Sequence, residues 1–383
     1  MKNFKNRKNG FVSLVLITAL VLCMTALSPA ACAKGHRPRP QEDSGLDGDL
    51  LFTEAEQDLA DFDGLSEAEY ITVSDGKDVN LYDAGIWVID GSASDVTVSV
   101  NAPDDAEVYL FLNGLNIQNR NRPCIYVGSV GKIYIIPVGD SRLTVAEEFR
   151  KDPGRKANAV IYSCTDLTLV GEAALHIESP KNGIVCRDKL RILEGDYEIT
   201  AESKAIAADN AIWIAGGDFR LKAGSDGLHA ENEDDSMQGS IYIGGGSFDI
   251  DAEDDAIHGQ ALVQIDGGRL FIDADEGIES TWVLITGGTT EIQASGDGIN
   301  AGFKSDAYRP KIEITGGSIN ITMDGEDPDA IDSNEDLIIS GGTIRIAGAG
   351  IDYDGDLDFS GGTVYIDGKP VREIRNTSSH GKK

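Results

Sequence analysis

Seven glycine pairs punctuate the stretch from Ile212 to Ile366, and they constrain the fold more than any other feature of the sequence. Their second members are Gly217, Gly246, Gly268, Gly288, Gly317, Gly342 and Gly362, so the steps are 29, 22, 20, 29, 25 and 20 residues. A basic unit of about twenty residues with loops inserted into some copies explains the unequal spacing. Four and two residues before each pair stand apolar side chains: Ile212/Ile214, Ile241/Ile243, Val263/Ile265, Val283/Ile285, Ile312/Ile314, Leu337/Ile339 and Leu357/Phe359. The alternation resumes after the pair, as in Phe219/Leu221, Phe248/Ile250, Leu270/Ile272 and Ile319/Ile321. A period of two means strands, and no helical stripe competes with it. Two or three short strands per unit cannot bury an apolar face alone. Stacked units share one core, so the expected fold is all-β, a right-handed parallel β-helix of about a dozen coils, the handedness taken from the preference of parallel crossovers.

The 383 residues suit one long solenoid, because such a domain grows by addition. Residues 1–33 read as a signal peptide: Lys2, Lys5, Arg7 and Lys8 precede an apolar run from Phe11 to Leu22, and small residues end at Ala31-Cys32-Ala33. Cleavage after Ala33 fits the small-x-small rule. Ala30-Ala31-Cys32 also fits a lipoprotein box with Cys32 as the lipidated residue, although Pro29 stands where that box prefers Leu. Residues 34–69 read as an acidic linker with a helical turn between Phe52 and Leu59, residues 70–368 as the β-helix, and 369–383 as a disordered tail. The less regular strands from Tyr70 to Gly114 read as the cap of the first coil.

Net charge excludes one class of partner. The chain carries −32, and removing four basic and no acidic residues with the signal leaves −36, which rules against nucleic acid. Cys124, Cys164 and Cys186 cannot all pair within one monomer. Cys164 and Cys186, one coil apart, allow a disulfide, and buried thiols are the alternative.

Several phrases together resemble a family. Val108-Tyr109-Leu110-Phe111-Leu112-Asn113-Gly114-Leu115-Asn116-Ile117, Asn158-Ala159-Val160-Ile161-Tyr162-Ser163, Ser225-Asp226-Gly227-Leu228-His229-Ala230, Gly296-Asp297-Gly298-Ile299-Asn300-Ala301 and Asp329-Ala330-Ile331-Asp332-Ser333-Asn334 are similar to those of exported bacterial carbohydrate-binding β-helix proteins, which share their fold with calcium-dependent pectate lyases. The resemblance spans about residues 85–366. It implies a secreted or cell-surface module that binds plant-wall polysaccharide, with calcium held by acidic residues of the coils. In the early coils Asn182 and Lys204 replace the family's acidic residue, which weakens any ion site there.

The residues themselves carry an acidic ladder. Before each Gly/Ala-Ile/Leu step stand Asn182, Lys204, Asp226, Asp255, Glu276, Asp297 and Asp329; three residues later come Val185, Ala207, His229, His258, Glu279, Asn300 and Asp332, with Asp352 following. At a coil spacing of ~4.8 Å, neighbouring carboxylates repel by ~3.5 kcal/mol at an effective dielectric of 20. A bound cation removes that cost. Oxygen-only donors suit calcium, with Asp226, Asp254, Asp255, Asp275, Glu276, Glu279, Asp297, Asp329 and Asp332 as candidate ligands. The competing reading is a solvated face of turn-forming Asp residues; His229 and His258 read as exposed histidines of the ladder, with stacked metal ligands as the alternative. On a second outer column, Trp213 and Tyr242 become neighbours and candidate sugar-stacking residues, unless the loop from Asn232 to Gly239 covers them. Function therefore reads as calcium-dependent polysaccharide binding outside the cell, with membrane contact only through a lipid anchor. The alternatives are a pectate lyase-like enzyme, for which Lys304 is the candidate base, and a surface adhesin with a protein partner.

Overall fold

A computed structural model describes residues 45–53, 64–150, 157–325 and 328–376. The expected signal peptide, with Cys32, lies outside the described residues. The chain forms a parallel β-solenoid of about twelve turns. Each regular coil contributes to three faces, here sheets A, B and C. Sheet A holds the strands before the glycine pairs, such as Ala211–Ile214, Ser240–Ile243 and Lys311–Ile314. Sheet B holds those after them, such as Asp218–Ala223, Ser247–Ala252 and Arg269–Ala274. Sheet C holds the ladder, in strands such as Leu228–Ala230, Ile299–Ala301 and Asp329–Ser333. In two coils the chain runs from C into A without a break, over Asp255–Ile265 and Glu276–Ile285.

The register follows from the alternation. Ile212 pairs with Ile241, Ile241 with Val263, Val263 with Val283 and Val283 with Ile312, all of them 0% exposed. Sheet B adds an internal aromatic stack. Phe219 and Phe248 lie 4.5 Å apart with planes at 2°, and Tyr197 stacks on Phe219 from the preceding coil. Such pairs add about 0.5–1.5 kcal/mol each beyond their burial. The second glycine of each pair turns the corner between A and B at φ from +74° to +116°, which a side chain would strain. At Gly246 a Cβ would also lie 2.6 Å from the carbonyl oxygen of Gly217 on the coil before.

Both ends of the domain differ from the expected boundaries. Glu69–Thr72 is already paired in parallel with the strand Gly85–Ser94. At the other end, Lys369–Val371 folds back antiparallel on Thr363–Ile366, and Ile374 is buried in the core, so ordered structure continues past residue 368. Part of the expected linker is structured as well. Residues 45–53 lie as a strap on sheet A and include a helical turn, Gly48–Leu51; most of the turn expected between Phe52 and Leu59 lies outside the described residues. The three cysteines are free thiols; Cys124 and Cys186 are buried, and Cys164 is exposed.

Candidate functional site

Parallel register carries every ladder position into one column on the outside of sheet C. Val185 faces Ala207, which faces His229, then His258, Glu279, Asn300, Asp332 and Asp352. The column is not one uniform acidic face, and it divides by how its charges are balanced.

In the first half the protein supplies its own cations. Asp226 Oδ2 lies 2.5 Å from Nδ1 of His229 and 3.3 Å from Nζ of Lys204. Burial alone would raise the Asp226 carboxyl, but His229 and Lys204 hold it well below the ordinary range. One coil on, His258 Nδ1 sits 2.7 Å from Asp255 and 2.9 Å from Glu279, while Glu279 also meets Lys304 Nζ at 2.5 Å. Burial works against a charged His258, yet the bonds to Asp255 and Glu279 raise it to about 9. Asp255 is itself raised, by burial and then by the charge of Glu279, against the pull of His258. The two imidazoles stack at 4.7 Å, and both are largely buried rather than exposed as a solvated face requires.

In the second half, no Lys, Arg or His among the described residues forms a salt bridge with Glu276, Asp297 or Asp332. Glu276 accepts a bond from Asn300 at 3.1 Å, yet burial and the neighbouring Glu279 raise it to about 7. Asp332 also rises to about 7, through burial and the charges of Asp297, Asp352, Asp329 and Asp354. Asp297 is raised by burial and by Glu279 and Asp275, although it accepts the backbone N–H of Asp329 at 3.1 Å. Asp254 and Asp275 are exposed, and Asp275 accepts from Ser295 at 2.6 Å. The nine expected ligands therefore do not converge on one point. Among the described residues, the triads whose donor atoms lie within 4.8 Å of one another are His229/Glu231/His258 and Asp255/His258/Glu279.

Two insertions flank the column. Ser305 Oγ donates to the carbonyl of Ser236, and Ser236 Oγ donates to Asp306 at 3.2 Å, tying the loop after Glu231 to the loop that carries Lys304. Toward the first coils lies an open polar groove of about 260 Å³, whose lining includes Lys181, Arg187, Lys204, His229, Glu231 and Asn232.

The aromatic column on sheet A is arranged as the alternation predicts, with Trp213 beside Tyr242, but it does not face open solvent. Tyr242 is 6% exposed beneath Leu51 and Phe52, with Trp213 half-buried at the edge of the same cluster. The strap covers them, not the Asn232–Gly239 loop. It is fastened by Gln264, whose side chain accepts the N–H of Leu46 at 2.6 Å and donates to its carbonyl at 2.9 Å. Gly48 passes so close to the Tyr242 hydroxyl that no Cβ fits. Lys304 is poorly suited as a base. Although burial lowers its pKa, the salt bridge to Glu279 prevails and raises it, so the side chain is held as ammonium. Sequence reasoning missed Lys204 as a counter-ion, Glu231 as a neighbour of the histidines, and the strap. The first could have been found in the ladder, where Lys204 sits one coil from Asp226.

A carbohydrate-binding domain-containing protein of Acetivibrio thermocellus is 28% identical over 192 residues, which is 49% of this chain and 65% of that relative. The chain thus spans less than two thirds of the relative's length. A solved structure of a polysaccharide lyase-like protein from C. thermocellum, a gadolinium derivative, aligns at 22% identity and a TM-score of 0.35, covering 78% of this chain and 94% of that one. The family described as carbohydrate-binding domain-containing protein matches residues 75–281 and 275–369, which together take in nearly the whole solenoid. The chain belongs to that family.

Proposed function

We propose that the protein is an exported polysaccharide-binding module whose sheet C holds calcium, and that the ion links the acidic column to plant-wall glycans such as polygalacturonate or cellulose-like chains. The observation that carries this reading is the set of raised carboxyls of Glu276, Asp297 and Asp332 in the second half of the column, found in a member of a carbohydrate-binding family. Glu276, Asp297 and Asp332 have carboxyls raised by burial and mutual repulsion, the state expected of hard-oxygen ligands awaiting a cation. The residues fit calcium: the donors are oxygens, Asn300 adds a carbonyl, and no imidazole or thiol intrudes. We assign the ion to Glu276, Asp297 and Asp332 rather than to Asp226, Asp255 and Glu279, which already have His and Lys partners. Bound calcium would neutralise the column and offer open coordination positions to sugar carboxylates and hydroxyls. Coils stacked at ~4.8 Å present these positions at close to the length of one hexose unit.

Export through residues 1–33, with either free secretion or a lipid anchor at Cys32, would place this face outside the cell. A glycan array read with calcium and then with chelator tests the proposal. Retention of acidic plant-wall glycans that chelator abolishes supports it; retention indifferent to chelator removes calcium from the reading.

A further inference from the structure

We infer that His229, His258 and Glu231 form a second cation site, for a single divalent transition metal ion of the zinc class. This site differs in chemistry from the oxygen-only half of the column. Nitrogen donors from two imidazoles favour a borderline metal over calcium, which takes six to eight oxygens.

The backbone builds the site by repeating one local phrase. Asp226-Gly227-Leu228-His229 and Asp255-Ala256-Ile257-His258 occupy equivalent positions on consecutive coils, so His229 pairs directly with His258. In each phrase the Asp carboxylate faces Nδ1 of the histidine three residues later, at 2.5 Å and 2.7 Å. At His258 the Asp255 carboxylate bonds Nδ1 and leaves Nε2 as the outward atom, the arrangement that orients metal-ligating histidines. Nε2 of His229 lies 3.2 Å from Oε2 of Glu231. One donor atom from each of His229, Glu231 and His258 falls within 4.8 Å of the other two. Zinc ligands bound at ~2.0–2.2 Å stand about 3–4 Å apart, so small rotamer adjustments close the triad.

Two further observations point to an ion rather than to a settled hydrogen-bond network. His229 is only 8% exposed, and its Nδ1, though close to Asp226, makes no properly directed hydrogen bond to any acceptor. A buried imidazole held in that way invites a ligand that reorients it. Three protein ligands also leave a coordination position free, and His229 and Glu231 line the 260 Å³ groove, so the open position faces space rather than protein.

The test is a cobalt(II) titration of the chelator-treated full chain at pH 8, where binding displaces the proton that Asp255 and Glu279 hold on His258. The expected result is one equivalent of Co²⁺ with visible absorption typical of nitrogen and oxygen ligation, displaced by Zn²⁺ and not by excess Ca²⁺. Glu231→Gln and His229→Asn should each weaken binding by tenfold or more, while Asp273→Asn, at an exposed position of sheet B, leaves it unchanged. Glu231 has a largely solvent-facing side chain, so its variant keeps the test valid if His229→Asn fails to fold. Cobalt binding that survives both Glu231→Gln and His229→Asn, or that Ca²⁺ displaces, overturns the inference. So does the absence of any absorption band. None of these results bears on calcium or glycan binding by the second half of the column.

Discussion

Replacing Glu276 by Gln should stabilise the protein in chelator and destabilise it, relative to the parent chain, in saturating calcium. The carboxyl rises from the ordinary 4.5 to about 7 because burial and Glu279 oppose its charge. At 1.36 kcal/mol per pH unit this is a cost of roughly 3 kcal/mol for the fully charged group. Solvent screens a half-buried side chain, which leaves about 1–2 kcal/mol. For a carboxylate whose folded pKa is raised, the native state holds the proton longer than the unfolded chain. Stability from this group is therefore complete below pH 4.5 and is lost as pH rises through about 7. Thermal melts in chelator should show the parent chain losing stability between pH 5 and 8, with Asp332, raised to about 7, contributing in the same direction. Glu276→Gln should flatten part of that slope and raise the melting temperature at pH 8 by about 2–5 °C. Calcium reverses the order, because an ion at a hundred times its dissociation constant stabilises the parent by about 2.7 kcal/mol. A Gln variant no more stable than the parent at pH 8 in chelator would refute the electrostatic reasoning. An unreversed order in calcium would remove Glu276 from the ligand set.

Further outcomes test other parts of the structure. Gly246→Ala should cost at least about 2 kcal/mol, since its φ of +99° and the Gly217 carbonyl both oppose a Cβ, whereas Gly76→Ala, with φ +67° and open space, should cost no more than about 1 kcal/mol; equal losses in denaturant melts would contradict the corner argument. Leu51→Asp should release the strap and increase acrylamide quenching of tryptophan fluorescence, because Trp213 lies at the edge of the cluster that Leu51 joins; unchanged quenching would mean that the strap does not shield it. With calcium present, no unsaturated product should be released from polygalacturonate from neutral to strongly alkaline pH, since Lys304 is held as ammonium by Glu279; steady ultraviolet-absorbing product that Lys304→Ala eliminates would restore the lyase alternative.

The solenoid was legible because its signal is long and locally consistent. The glycine pairs fix corners, the period-two alternation fixes which face is buried, and in parallel stacking these two rules dictate register, so that Trp213 meets Tyr242 and His229 meets His258. What escaped the sequence depends on partners distant along the chain. Leu46 and Gln264 are 218 residues apart, and nothing in the composition of residues 34–69 says that Leu51 and Phe52 will cover Tyr242. The ladder was legible as a column but not as two halves. Only the side-chain geometry shows that Lys204 and Lys304 reach Asp226 and Glu279, while Asp332 is surrounded by Asp297, Asp352, Asp329 and Asp354.

The most direct measurement is equilibrium binding of polygalacturonate to the mature chain by isothermal titration calorimetry, in calcium and in chelator, for the parent and for Glu276→Gln combined with Asp332→Asn. The account predicts binding in calcium that disappears in chelator and in the double variant, while the variant remains folded. Equal binding by both proteins with and without calcium would contradict it.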